Sequence, residues 1–352
     1  MRNRIEAACR LISPLSETGL ASARATQLTL TKPPGSLGLL EEIGNRIAAI
    51  GGTTAPRVMR KRIYVVAADH GVTAEGVSAY PREVTYQMVL NFLRGGAAIN
   101  VLSRHSGIEV QVVDAGVDYD FPPDCRLIRE KIVRGSANLS REPALTREQA
   151  ERGVSAGVDL AEAASRDGIT LLGVGEMGIG NTTAASAVTA ALTGLDPASL
   201  TDRGAGVDDV GLARKIDVIR RALAVNQPDP SDALDILAKV GGAEIGVMTG
   251  IVIGAAAQRI AVVADGFIST AAAALAVKLQ SNVRDYLFIA HRSVERGHAA
   301  LIDFIGVQPL LDLGMRLGEG TGAALAMHII EAGSKLLDEM ATFSEAGVSD
   351  KE

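Results

Sequence analysis

Five short hydrophobic runs in this chain stop at the same kind of residue. Ile63-Tyr64-Val65-Val66-Ala67-Ala68 ends in Asp69-His70, Val110-Gln111-Val112-Val113 in Asp114, and Thr170-Leu171-Leu172-Gly173-Val174-Gly175 in Glu176. Ala261-Val262-Val263-Ala264 ends in Asp265, and Tyr286-Leu287-Phe288-Ile289-Ala290 in His291. Runs rich in Val and Ile, without polar alternation, predict strands buried on both faces of a parallel sheet. Ligands of open α/β sheets lie beyond the carboxyl ends of the strands, which is where the acidic and histidine punctuation falls. The expected class is α/β, and a site is already outlined.

Such a core must be built here from small and aliphatic side chains, because the chain is 47% hydrophobic but only 3% aromatic, with no Trp and 38 Gly in 352 residues. This argues against aromatic stacking on nucleic acid. A formal net charge of -6 and the lack of a dense Lys/Arg run argue against phosphate-backbone or anionic-membrane partners. Cys9 and Cys125 cannot make a disulfide framework. Glu6 falls where a signal peptide needs an apolar stretch. The apolar neighbourhood from Ile245 to Ala264 is broken by Gln258 and Arg259 and falls short of the ~20 residues of a membrane span. A cytoplasmic protein is expected. Length alone leaves open one large α/β domain with an appendage or two equal domains.

Along the chain, the segment up to Gln27 has helical spacing (Ile5, Ala8, Ile12) and no strand candidate. Lys32-Pro33-Pro34-Gly35-Ser36-Leu37-Gly38 predicts a rigid loop, since proline fixes φ and forces its predecessor out of the α region. Helices are expected over Leu39–Ile50, Val84–Arg104, Arg147–Arg166, Thr182–Thr193, Ala213–Ala224, Ser231–Val240 and Ala323–Thr342. Strands alternate with most of them, as in βαβ units. Asn226-Gln227-Pro228-Asp229-Pro230 predicts a turn between helices. No internal repeat or low-complexity segment is found.

Gly173-Val174-Gly175-Glu176-Met177-Gly178 fits G-x-G-x-x-G after a strand and before an Ala-rich helix. A dinucleotide site would need an acidic residue at the end of the next strand, and Asp196 has no strand before it. Two readings remain beside it: glycines that only permit a tight turn, and a phosphate site. In the latter, Asn181, Thr182 or Thr183 caps the helix while its N–H groups and dipole hold an anion. A second cluster, Gly204-Ala205-Gly206-Val207-Asp208-Asp209, precedes Lys215. A third, Arg316-Leu317-Gly318-Glu319-Gly320-Thr321-Gly322, puts Glu319 between glycines that let backbone and ligand approach, with Thr321 placed to cap the last long helix.

The five histidines, His70, His105, His291, His298 and His328, form no H-E-x-x-H, and no metal site is expected. Asp69-His70 reads either as a metal or acid/base pair or as residues shaping a pocket from behind. Ser/His/Asp hydrolysis lacks its G-x-S-x-G.

Taken in order, Lys32-Pro33-Pro34-Gly35-Ser36-Leu37-Gly38, Ala68-Asp69-His70-Gly71-Val72, Gly173-Val174-Gly175-Glu176-Met177-Gly178, Asn181-Thr182-Thr183, Val240-Gly241-Gly242, Met248-Thr249-Gly250, Asp265-Gly266-Phe267 and Arg316-Leu317-Gly318-Glu319-Gly320 resemble the nicotinate-nucleotide:dimethylbenzimidazole phosphoribosyltransferases of cobalamin lower-ligand assembly. The matches span nearly the whole chain. The resemblance implies transfer of 5-phosphoribose from nicotinate mononucleotide to 5,6-dimethylbenzimidazole, giving α-ribazole 5′-phosphate and nicotinate. It implies a large Rossmann-like α/β domain over residues 28–307, a small helical domain from residues 1–27 and 308–352, and a homodimer. It also implies Glu319 as general base and Glu176, Gly178, Asn181, Thr182, Gly204, Lys215 and Ser293 around the nucleotide. Arg316 and Leu317 are placed beside the base pocket.

That chemistry suits the residue types. The pyridinium of the nucleotide leaves as a neutral ring and needs no general acid. Attack by an azole nitrogen from the opposite face inverts C1′, and the azole's other nitrogen then gives its proton to a carboxylate, worth ~10²–10⁴-fold. Phosphate anchoring needs only helix N–H groups and a lysine, so neither metal nor cofactor is expected. The base pocket is expected at Tyr80-Pro81, along the next helix near Gln87 and Met88, and at Met177 and Leu317. Tyr80 reads equally as a plain turn residue. Competing classes are a nucleotide sensor without catalysis and a dehydrogenase.

Overall fold

All five expected strands form, and two short ones join them at the sheet edges. The computed structural model describes residues 1–53, 55–204 and 206–349. Ala205 of the second glycine cluster and the last residues of the expected helical end, 350–352, lie outside the described residues. The strands are β1 (Lys61–Ala68), β2 (Glu109–Gly116), β3 (Ile128–Arg129), β4 (Leu171–Met177), β5 (Ala261–Ala264), β6 (Leu287–His291) and β7 (Pro309–Leu311). They form one parallel sheet in the order β3-β2-β1-β4-β5-β6-β7. The chain starts beside the middle, winds outward to β3, then returns to β4 and winds the other way. The reversal between β1 and β4 opens a crevice at their carboxyl ends, where an α/β sheet binds its ligand. There, Val66 pairs with Glu176 and Ala67 with Met177.

The helices are α1 (Arg2–Leu11), α2 (Glu17–Thr29), α3 (Leu39–Gly51), α4 (Val84–Arg94), α5 (Ala98–His105), α6 (Arg147–Arg166), α7 (Asn181–Thr193), α8 (Pro197–Leu200), α9 (Asp209–Asn226), α10 (Ala233–Val240), α11 (Ala243–Ala257), α12 (Phe267–Leu279), α13 (Arg296–Ile305), α14 (Thr321–Glu339) and α15 (Phe343–Ala346). The single helix expected over Val84–Arg104 is two, because Gly95 takes φ 79° and caps α4 before α5 begins. The expectations also omitted α13, and before it α11 and α12. Both are apolar on every side and buried almost throughout, so they carry no amphipathic period to read. α11 lies against α6 at close range. A Cβ on Gly250 would collide with the Val154 carbonyl, and one on Gly157 with that of Val247.

Two expected caps are absent. Gly180, not Asn181, Thr182 or Thr183, stands at the N-cap of α7, and no side chain caps that helix. α14 begins after Gly320, and the Thr321 hydroxyl donates to Gly318 O (2.8 Å) instead of capping. Asn181 and the three threonines lie inside their helices, where the side chain cannot fold back on the first free N–H groups.

At the chain ends, Leu30 bridges Thr342, and Ala23, Leu30, Ala48 and Leu337 form a small cluster apart from the main core. Ile5 and Ala8 of α1, with Ile12 just after it, belong instead to the main core. Among the described residues no helix is long and apolar enough to cross a membrane.

Candidate active site

A cavity of about 470 Å³ opens at the carboxyl ends of β4, β5 and β6. Its floor is the turn from β4 into α7. Glu176, the next-to-last residue of β4, is buried, and Asn181 at the start of α7 donates its side-chain amide to Glu176 Oε2. Burial first, then the charges of Asp265 and Glu244, push the Glu176 carboxyl up to about 8. Glu176 is therefore a neutral acid at pH 7.

Gly178, Gly180, Asn181 and Thr182 line the cavity where the uncapped α7 N-terminus presents its positive dipole. Behind them, Lys215 of α9 is buried, with Nζ donating to Thr182 Oγ1 (2.8 Å) and Asp202 O (3.1 Å). Burial pushes its ammonium down to about 8, against the pull of Glu295 and Asp202. Lys215 does not itself line the cavity; Thr182 and Gly204 stand in front of it. Ser293 does line it, with its N–H donating to His298 Nδ1 (2.9 Å). That bond makes Nδ1 the acceptor, so Nε2 carries the proton and donates to Thr270 Oγ1 (3.0 Å). Burial holds the His298 imidazolium down to about 3, so the ring stays neutral.

The opposite wall is apolar. Tyr80, 54% exposed, Val84 and Met88 face Met177 and Leu317, with Arg316 at the rim. Gln87 does not join them: it is exposed on α4, one residue and about 100° round the helix from Met88. Glu319 lines the same cavity. Burial raises its carboxyl, as does Asp265, while the Ile99 N–H pulls it back. Its Oε2 has no hydrogen-bond partner among the described residues.

Sequence reasoning therefore named about half of the lining as site residues; Val77, Ser78, Val84, Ile268 and Glu295 are among those it left out. Glu295 follows β6 by four residues, and strand-end proximity was the signal available. Asp69-His70 proves to lie behind the wall. His70 Nε2 is 2.8 Å from Glu244 Oε1, both fully buried, under the Gly178–Gly180 turn. Among the described residues no three His, Cys, Asp or Glu side chains converge as metal ligands. The arrangement brings an anion receptor, an apolar surface and a carboxyl with one unpartnered oxygen into one cavity.

A profile of the phosphoribosyltransferase family matches residues 12–348. The nicotinate-nucleotide–dimethylbenzimidazole phosphoribosyltransferase of Geobacter sp. strain M21 is 55% identical over 98% of this chain and 99% of its own. The protein of the same name from Chloroflexus aggregans is 57% identical over 97% and 96%. The crystal structure of CobT from Thermus thermophilus superposes with a TM-score of 0.91 at 49% identity, covering 95% of this chain and all of that one.

Proposed function

The chain belongs to the phosphoribosyltransferase family of these relatives, and we propose that it transfers 5-phosphoribose from nicotinate mononucleotide to 5,6-dimethylbenzimidazole. The observation that carries the reading is the Glu319 carboxyl, one oxygen of which has no hydrogen-bond partner among the described residues, lining the same cavity as a free helix start and an apolar surface. In this scheme the phosphate rests on the Gly178–Thr182 turn, backed by Lys215. Ser293 and Gly204 flank the ribose.

The acceptor lies between Tyr80, Met88, Met177 and Leu317. One of its ring nitrogens attacks C1′ from the face opposite the pyridinium. The new N–C bond forms as the pyridinium C–N bond breaks, its electron pair leaves on nicotinate, and C1′ inverts. Glu319 takes the proton from the acceptor's other nitrogen. A carboxyl raised by burial suits that work, since a general base is most effective with a pKa near the working pH. No metal or cofactor enters this scheme. By family membership the protein is proposed to act as a cytoplasmic homodimer; of the smaller helical unit expected from residues 1–27 and 308–352, β7 belongs instead to the large sheet and Ile5 and Ala8 of α1 to the main core. Sedimentation at twice the chain mass would support the dimer, and sedimentation at the monomer mass would remove it.

The test mixes nicotinate mononucleotide with equimolar dimethylbenzimidazole, benzimidazole, adenine and phenol, and scores nicotinate release and the α-nucleotides formed. Dimethylbenzimidazole should win over benzimidazole through two methyls worth roughly 0.8 kcal/mol each when buried. Adenine would bury polar atoms without evident partners. Preference for adenine or phenol removes the pocket assignment, and absence of nicotinate release removes the reaction. Glu319→Gln should lower turnover ~10²–10⁴-fold with nucleotide affinity nearly kept; wild-type turnover in that variant would remove the base.

A further inference from the structure

Three consecutive residues here have a left-handed backbone: Gly318, Glu319 and Gly320, with φ of 86°, 64° and 89°. Glycine enters that region freely, but a glutamate is strained there and stays only when its surroundings enforce it. Two of the enforcing contacts come from one side chain. Asp265 follows β5 and is fully buried. Its Oδ2 accepts the Gly320 N–H at 3.0 Å, and its Oδ1 accepts the Ala323 N–H at 2.9 Å. It thus takes the place of the missing cap on α14 and meets the positive end of that helix. His291 Nε2 lies 4.0 Å from Oδ1 on the other side. On β4, a Cβ at Gly175 would collide with the Glu319–Gly320 backbone, so the turn is also pressed against the sheet.

We propose that Asp265 is the positioning residue for Glu319: its carboxylate locks the Gly318–Gly320 turn to the start of α14 and so aims the Glu319 carboxylate into the cavity. Asp265 does not line the cavity and works wholly through the turn. The inference rests on the reading of Glu319 as the base.

Asp265→Asn keeps the shape but offers one acceptor oxygen to two N–H groups and turns an amide NH₂ toward the other. Since a misplacement of about 1 Å costs on the order of a hundredfold, kcat should fall about 100-fold while the KM for nicotinate mononucleotide stays within about threefold. A double-mutant cycle with Glu319→Gln decides the matter. If Asp265 works through Glu319, adding Asp265→Asn to Glu319→Gln lowers kcat by no more than about twofold further. Equal losses in both backgrounds would make Asp265 merely structural and overturn the proposal, as would an unchanged kcat in Asp265→Asn. Thermal melts establish that each variant is folded. Should Asp265→Asn fail to fold, Gly320→Ala strains the same turn independently, with a Cβ 2.9 Å from Ile63 Cγ2, and should show the same non-additive loss. An additive loss there also overturns the proposal. If Glu319→Gln alone keeps wild-type turnover, the base assignment falls first and this proposal with it.

Discussion

Raising the pH from 5 to 8 should destabilise the ligand-free protein through Glu176, a buried carboxyl surrounded by other acids. Its pKa is about 8, against 4.5 for an ordinary glutamate, through burial and then the charges of Asp265 and Glu244. Between those two values the folded protein holds a proton that the unfolded chain has lost. Stability that is full below pH 4.5 is therefore lost as pH climbs toward 8. At ~1.4 kcal/mol per tenfold change in proton affinity, the gap bounds the loss at roughly 5 kcal/mol. Water entry and relaxation around the charged form bring it to about 2–3 kcal/mol. With an unfolding entropy of ~2.1 cal/mol/K per residue, 1 kcal/mol moves Tm by about 1.4 °C in a chain of this length, so Glu176 accounts for a fall of roughly 3–4 °C. The assay is calorimetry of wild type and Glu176→Gln from pH 5 to 8. The glutamine variant, which still accepts from Asn181, should lose less Tm by that amount and melt higher at pH 8. Parallel curves would refute the reasoning. The scan stops at pH 8 because Lys215, pushed down to about 8 from 10.5, titrates with the opposite sign above it.

Two further outcomes are expected. Lys215→Ala should weaken nicotinate mononucleotide by about 1–2 kcal/mol in titration calorimetry and leave dimethylbenzimidazole unaffected, since it removes the positive charge that stands behind Thr182 and the phosphate turn; equal weakening of both would contradict the placement. Gly250→Ala, which drives a Cβ into the Val154 carbonyl, should cost about 2–4 kcal/mol of stability, visible as a lower Tm. An unchanged Tm would mean that α6 and α11 can spread apart without cost.

The parallel sheet was legible because a strand buried on both faces must be a continuous apolar run, and five such runs stand out. Their polar ends marked the site, because a parallel sheet brings all its carboxyl ends to one edge. Glycine clusters around Glu176, Gly204 and Glu319 marked the close approaches. α11 and α12 escaped, because helices buried on all sides have no period. The cap of α14 escaped for a different reason: sequence reasoning looked for a cap within a turn of the helix start. α14 instead takes its acceptors from Asp265, which precedes Gly320 by more than fifty residues and stands at the end of a different strand.

Gln87 shows the same limit at the scale of one residue. Met88 and Gln87 are adjacent in the chain, but a step of about 100° sends one into the cavity wall and the other to solvent. Residue types and spacing thus determined which chemistry the chain carries and at which end of the sheet it gathers. Which carboxyl is neutral, which keeps one oxygen unpartnered and which holds a turn in place was decided only by tertiary structure. Charge and hydrogen-bonding state depend on the groups that packing brings within a few ångströms, and those groups come from strands far apart in the chain.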